Sequence, residues 1–263
     1  MLADKTILIT GASGGIGSEV AKRLSEEGAI LVLVGRDEVS LGKLNEMLGS
    51  NHHIIQADIS HAADRNSIME YCQNLDGGID ILINNAGIGQ FSLFRDMGED
   101  EVTSIITTNL TSTVLLTQCL LPTLLSRPEP QIVNVGSILG SIGLPGSTIY
   151  CASKFGLRGF SEALRRELLD TSLAVRYFAP RATKTAINND RVTALNGELG
   201  TKMDTVESVA DALISFLKSS TTSQYLGWPE KIFVKINSVL PGVVEKSIAK
   251  QLIIFKRYLS KGL

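Results

Sequence analysis

Thr10-Gly11-Ala12-Ser13-Gly14-Gly15-Ile16-Gly17 closes the apolar run Thr6–Thr10 and opens into Ser18-Glu19-Val20-Ala21-Lys22-Arg23-Leu24, whose spacing is helical. At the start of a helix, unpaired backbone N–H groups and the helix dipole favour an anion. A phosphate must come close to those groups, and side chains would block it; Gly11, Gly15 and Gly17 supply the clearance. A second apolar run, Ile30–Val34, follows the helical stretch. Strand, glycine turn, helix and strand in that order mark a phosphate-binding turn rather than a simple reversal of the chain.

The same alternation continues downstream. Ile54–Ala57, Ile81–Ile83, Gln131–Val135 and Ala174–Phe178 read as further strands, with helical periodicity between them. They are nearly all apolar, as strands covered on both faces of a parallel sheet should be. The expected architecture is α/β: a doubly wound parallel sheet of about seven strands with helices on both faces. The 263 residues show no repeat and no low-complexity linker, so a single domain spanning 1–263 is expected.

Composition narrows the function classes. With 25 basic and 27 acidic residues, net charge -2, the chain has no overall field to attract nucleic acid. Cys72, Cys119 and Cys151 form no CxxC pair, and His52, His53 and His61 form no HExxH, so no metal site is expected. Ile7-Leu8-Ile9 is too short for a signal-peptide core, and a reducing, cytoplasmic setting is expected. Val102–Ser126 carries no formal charge, but seven Thr, three Ser, Asn109, Gln118 and Pro122 interrupt it. It reads as a helix buried on both sides, by the sheet and by a second subunit, rather than as a membrane span.

The spacing of TGASGGIG resembles the glycine motif of short-chain dehydrogenases/reductases, and the rest of the chain supplies the family's other elements in order. Asn84-Asn85-Ala86-Gly87 is similar to the NNAG element that lines the adenine side and steadies the sheet, and Asp58 matches the acid that contacts adenine. The resemblance implies a Rossmann-type sheet and a cofactor site of Gly11, Ser13, Gly14, Gly15, Ile16, Gly17, Asp58, Asn85, Ala86 and Gly87. It covers Lys5 to about Thr185.

Cofactor choice is set where the second strand ends, Leu33-Val34-Gly35-Arg36-Asp37. An acid there bonds the ribose of NAD, whereas an arginine accommodates the 2′-phosphate of NADP. By resemblance the acid's place is Gly35, with Arg36 next to it. NADP(H) is therefore expected, supported weakly by Ser13, with NAD(H) possible if a one-residue shift makes Asp37 the ribose ligand.

Gly136-Ser137 follows the strand Gln131–Val135, and Tyr150-Cys151-Ala152-Ser153-Lys154 begins thirteen residues beyond Ser137. Tyr150 and Lys154, four apart on a helix, share one face. Hydride transfer to a ketone leaves charge on oxygen that must be protonated, and a nearby ammonium favours phenolate and makes the phenol a better acid–base group. Tyr150 is then the proton donor or acceptor. Lys154 tunes it and holds the nicotinamide ribose, and Ser137 orients the substrate oxygen. By resemblance Asn109 holds a water that relays protons to the lysine. Phe178-Ala179-Pro180-Arg181-Ala182-Thr183-Lys184-Thr185 stands where the family has PGxxxT, so Pro180 and Thr185 are placed at the nicotinamide. Arg181 departs from the pattern; it could face a cofactor phosphate or an anionic substrate, or form an ion pair.

The reaction expected is hydride exchange between nicotinamide and a small-molecule carbonyl or secondary alcohol, with a hydrophobic substrate. The competing class, a dinucleotide-binding sensor or scaffold, would be marked by damaged catalytic positions; Ser137, Tyr150 and Lys154 are intact. The polar stretch 186–205 is expected to be a mobile lid over the substrate. Residues 227–263 form a basic amphipathic extension, with seven basic residues against two acidic ones from Glu230 to Leu263. Its apolar side, Val243, Val244, Ser247, Ile248, Gln251, Leu252, Phe255 and Leu259, has helical spacing and suits its own domain, a neighbouring subunit, or a hydrophobic pocket or membrane surface that serves a lipid-like carbonyl substrate. The resemblance further implies a homodimer or homotetramer built on the helices Val102–Ser126 and Tyr150–Leu169.

Overall fold

Short apolar runs become strands because each residue can bury its side chain on one of two covered faces. In the computed structural model, which describes residues 2–185 and 187–260, these strands are β1 (Thr6–Thr10), β2 (Ile30–Gly35), β3 (His53–Gln56), β4 (Ile81–Asn84), β5 (Gln131–Val135), β6 (Ala174–Ala179) and β7 (Ser223–Tyr225). They form one sheet in the order β3-β2-β1-β4-β5-β6-β7, and every neighbouring pair is parallel. The connecting helices are α1 (Gly15–Glu26), α2 (Glu38–Met47), α3 (Ala62–Asn74), α4 (Glu99–Ile106), α5 (Ser112–Leu125), α6 (Thr148–Glu167), α7 (Asp190–Glu198) and α8 (Val206–Leu217). Two more, α9 (Glu230–Val239) and α10 (Pro241–Leu259), complete the extension.

The two-residue alternation of the strands sorts the core into two layers. Ile7, Ile9, Leu31, Leu33, Ile81 and Ile83 share a cluster with Val20 and Leu24 of α1 and Val209, Leu213 and Phe216 of α8. Leu8, Val32, Leu82, Ile132 and Val175 point the other way, toward Ile68 of α3, Leu116 and Leu120 of α5 and Leu164 of α6. Strand order reverses between β1 and β4. The crevice beyond the carboxyl ends of those two strands is where doubly wound sheets bind ligands.

The structure adds detail to two sequence expectations and corrects a third, the single helix of the extension. The uncharged stretch Val102–Ser126 is helical, but Thr107–Thr111 widens into a π-helical turn around buried Asn109. Within one chain Leu116, Leu120 and Leu124 are buried against the sheet, α3 and α6, while Gln118 and Leu125 are exposed. The stretch 186–205 contains helix α7, started by Asn189, whose side chain accepts from the Val192 N–H at 3.0 Å; Ala186 lies outside the described residues. The extension is two helices, because the chain turns at Leu240-Pro241 and Pro241 begins α10. Val244, Phe255 and Leu259 of its expected apolar side are buried, whereas Val243 and Leu252 are exposed; residues 261–263 lie outside the described residues.

Candidate active site

Gly11, at the end of β1, has φ +62, and a Cβ there would lie 3.0 Å from the Ala86 Cα. That close approach lets Asn85 stitch the turn to β4. Its Nδ2 donates to the carbonyls of Thr10 (3.0 Å) and Gly11 (3.2 Å), while the N–H groups of Asn85 and Ala86 donate to the Thr10 hydroxyl, both at 3.0 Å. The turn and the Asn84–Gly87 segment are thus one rigid unit. No side chain caps α1 and its first turn holds no carboxylate. Its unpaired N–H groups and positive end are available to an anion; a Cβ at Gly17 would run into the Gly11 carbonyl, and one at Gly15 would press on the Thr185 side chain. A dinucleotide pyrophosphate fits this donor set.

A cavity of about 520 Å³ runs from this cradle across the sheet ends. Gly11, Ser13, Gly14, Gly15, Ile16, Gly17, Arg36, Asp58, Asn85, Ala86 and Gly87 line it, as do Ser137, Tyr150, Lys154, Pro180 and Thr185. Burial pushes the Asp58 carboxyl up, but hydrogen bonds from Ser60 and the charges of Arg36 and His61 hold it below its ordinary value. Arg36 is exposed at the rim. Asp37, also at the rim, is already engaged: its carboxylate caps α2, accepting from the Val39 N–H at 3.1 Å and from the Ser40 hydroxyl.

Ser137 sits just past β5, and its hydroxyl accepts from the Leu139 N–H at 3.1 Å. Tyr150 and Lys154 lie one turn apart on α6, with the Lys154 Nζ 5.8 Å from the centre of the Tyr150 ring. Lys154 is buried and donates to the Val135 carbonyl at 3.0 Å, and burial lowers its ammonium to about 8. Burial raises the Tyr150 phenol to about 12, and hydrogen bonding to Ser137 acts in the opposite direction. Together they make a neutral phenol beside a titratable amine.

Asn109 is not in the cavity wall; it stands behind Gly87, where a Cβ would lie 3.3 Å from the Asn109 Oδ1 and 3.6 Å from the Lys154 Nζ. Its amide is fully engaged, accepting from the Ile88 N–H (2.8 Å) and donating to the Ile88 carbonyl (2.9 Å) and the Ser153 hydroxyl (3.1 Å). Of the roles open to Arg181, the ion pair is what forms: it meets Asp204 at 2.6 Å and Glu230 at 3.0 Å. The apolar end of the cavity is walled by Phe91, Leu144, Ile187, Leu195, Leu199 and Phe255, of which only Phe255 lies in the extension that the sequence offers as a hydrophobic pocket. Their apolarity was visible, but nothing local joins a loop after β4 to the last helix.

The family model described as short chain dehydrogenase matches residues 5–196. The ketoacyl reductase HetN of Nostoc sp. is 33% identical over 225 residues, covering 84% of this chain and 78% of the relative. The 3-oxoacyl-[acyl-carrier-protein] reductase FabG of Haemophilus influenzae is 35% identical over 176 residues, covering 67% and 73%. Among solved structures, a Brucella melitensis 3-ketoacyl-(acyl-carrier-protein) reductase complexed with NADH matches with TM-score 0.78 and 28% identity, covering 86% of this chain and 97% of that one. A Burkholderia cenocepacia short chain dehydrogenase in complex with NADP shares the fold, with TM-score 0.81 at 20% identity over 94% of this chain and 98% of that one. With a family model matching most of its length and the sheet, glycine turn and cavity described above, this chain belongs to the short-chain dehydrogenase/reductase family and is a dinucleotide-dependent oxidoreductase.

Proposed function

We propose that the protein is an NADP(H)-preferring reductase or dehydrogenase of a carbonyl or secondary alcohol on an apolar substrate. The observation that carries this reading is the convergence of Ser137, Tyr150 and Lys154 on the cavity that the glycine cradle opens into. When bound, the nicotinamide supplies or takes up the hydride. Tyr150 gives a proton to the carbonyl oxygen in reduction and takes one in oxidation. Lys154, in its charged form, favours the phenolate that reduction leaves behind. Ser137 holds the substrate oxygen toward Tyr150, and Gly11–Gly17 with Asn85–Gly87, Asp58, Pro180 and Thr185 hold the cofactor. Asn109, its amide engaged by Ile88 and Ser153, ties the Ile88 backbone to α6 beside Lys154, a placement that suits positioning the lysine.

NADP(H) is favoured because Gly35 leaves no carboxylate at the ribose position, Asp37 is committed to capping α2, and Arg36 is exposed at the rim. Arg36→Ala is expected to weaken NADPH binding by about 10–100-fold, the loss of a charge-assisted contact, and to leave NADH binding unchanged. Fluorescence titration of the two cofactors reads this. Tighter binding of NADH by the unaltered protein would move the ribose contact to Asp37.

The apolar wall argues for a hydrophobic substrate, and the names of the relatives, ketoacyl and 3-oxoacyl reductases, make a ketone on an acyl chain the first class to assay. We take 1–263 as one catalytic domain with 186–205 as its lid, because the lid and extension are joined to it. Glu198 of α7 meets Arg257 at 2.8 Å and the Tyr258 hydroxyl at 2.9 Å, and Glu230 meets Arg181. The free thiols Cys72, Cys119 and Cys151 suit a reducing cytoplasm.

Membrane contact through the extension has one feature in its favour: the α9–α10 corner exposes Val239, Leu240 and Val243 close in sequence to Lys235 and Lys246. If the corner enters a lipid surface, the protein sediments with phosphatidylglycerol vesicles and Leu240→Glu releases it. Absence of sedimentation would remove the membrane reading and leave the pocket reading intact. A homodimer or homotetramer is supported by the open faces of α5 and α6, which expose Leu125 and Phe155; light scattering should find more than one chain, and a monomer would count against it.

A further inference from the structure

Tyr177, on β6, is 1% exposed and among the largest fully buried side chains, yet its hydroxyl ends at the main chain of Ser137. It donates to the Ser137 carbonyl at 3.2 Å and accepts from the Ser137 N–H at 3.3 Å. One hydroxyl can serve both because Ser137 is fully extended, φ -163 and ψ 159, which turns its N–H and C=O to the same side. The residues on either side are held by the β6 main chain itself: the Gly136 N–H donates to Phe178 (2.7 Å) and the Ile138 N–H to Pro180 (3.0 Å). Tyr177 is therefore the partner of the buried Ser137 N–H, and it gives the Ser137 carbonyl a second donor beside the Gly140 N–H at 2.9 Å.

Space for the phenol is built into the loop. A Cβ on Gly136 would lie 2.2 Å from the Tyr177 Cζ and Oη, and one on Gly140 would lie 2.4 Å from the Oη. Both glycines flank Ser137 and leave room for this one side chain. Its ring is braced by Tyr225 at 6.1 Å.

We propose that Tyr177 is a positioning residue: by clamping both main-chain groups of Ser137, it fixes where the Ser137 hydroxyl meets the substrate oxygen. The proposal rests on the reading of Ser137 given above. Burial raises the phenol far above its ordinary value, so it stays a neutral donor and acceptor at every working pH.

The test is a double-mutant cycle of Tyr177→Phe and Ser137→Ala, assayed with NADPH and a short β-keto ester, together with amide hydrogen exchange of segment 136–140 in the cofactor-free protein. Y177F is expected to lower kcat about tenfold and Tm by roughly 2–10 °C, with cofactor affinity near that of the unaltered protein, and to lower kcat no further once Ser137 is Ala. Exchange at 136–140 should rise about tenfold without change elsewhere, as expected when a local hydrogen-bonded pair is lost. An unchanged kcat and exchange in Y177F, or an equal loss in both backgrounds, overturns the proposal while a large effect of S137A leaves the site reading standing. No effect of S137A overturns both. If Y177F folds poorly, Tyr177→Leu removes the same hydroxyl and takes its place in the cycle; where the keto ester is not turned over, the exchange result decides alone.

Discussion

Tyr150→Phe is expected to lower kcat by about 10²–10⁴-fold, the usual worth of a positioned acid–base group, with NADPH affinity changed little. Only the hydroxyl is removed; the ring, Lys154 and the glycine cradle remain. The pH dependence follows from the same groups. With the phenol near 12 it is protonated at neutrality, the form that donates in carbonyl reduction. Lys154, near 8, carries its proton below that pH and loses it above. The reduction rate should therefore be steady below about 8 and fall as pH rises through it, because the phenolate being formed loses its neighbouring charge. Initial rates across pH 6–10, at saturating cofactor, check both statements. Turnover retained in Y150F would remove the tyrosine from the chemistry.

Gly17→Ala should weaken cofactor binding. The new methyl would lie 2.2 Å from the Gly11 carbonyl oxygen and 2.8 Å from the Asn85 Nδ2. The first contact is backbone, so the turn itself must shift and its hinge to β4 with it. Overpacking of this kind costs about 1–3 kcal/mol, and each kcal/mol lowers Tm by roughly 2–4 °C in a chain of this size. Displacing the cradle should weaken NADPH binding by more than about tenfold, or about 1.4 kcal/mol. Gly42 in α2 is the internal control, since a Cβ there meets nothing within 4 Å. Gly42→Ala should bind NADPH normally and be more stable by about 0.5–1 kcal/mol. Normal cofactor binding by G17A would mean that the turn is not the phosphate cradle.

The sequence by itself determined what depends on near neighbours in the chain. Apolar runs set six of the strands to within a residue or so at each end, the glycine spacing set the turn between β1 and α1, and the four-residue interval set Tyr150 and Lys154 on one face of α6. Ser223–Tyr225 is not legible as a strand, because three residues, two of them polar, carry no strand pattern and pair only because β6 offers an open edge. The helix inside the lid was hidden by its polarity, although Asn189 was a readable cap. Folding in three dimensions fixes the rest: that Asp37 caps a helix beside Arg36, that Arg181 pairs with Asp204 and Glu230, that Phe255 lines the same cavity as Tyr150, and that Tyr177 reaches Ser137 through the space left by Gly136 and Gly140. Spacing along the chain encodes contacts within a turn or a helix. Contacts between elements far apart in sequence are fixed only when the sheet order brings their side chains together and packing leaves each a single place to go.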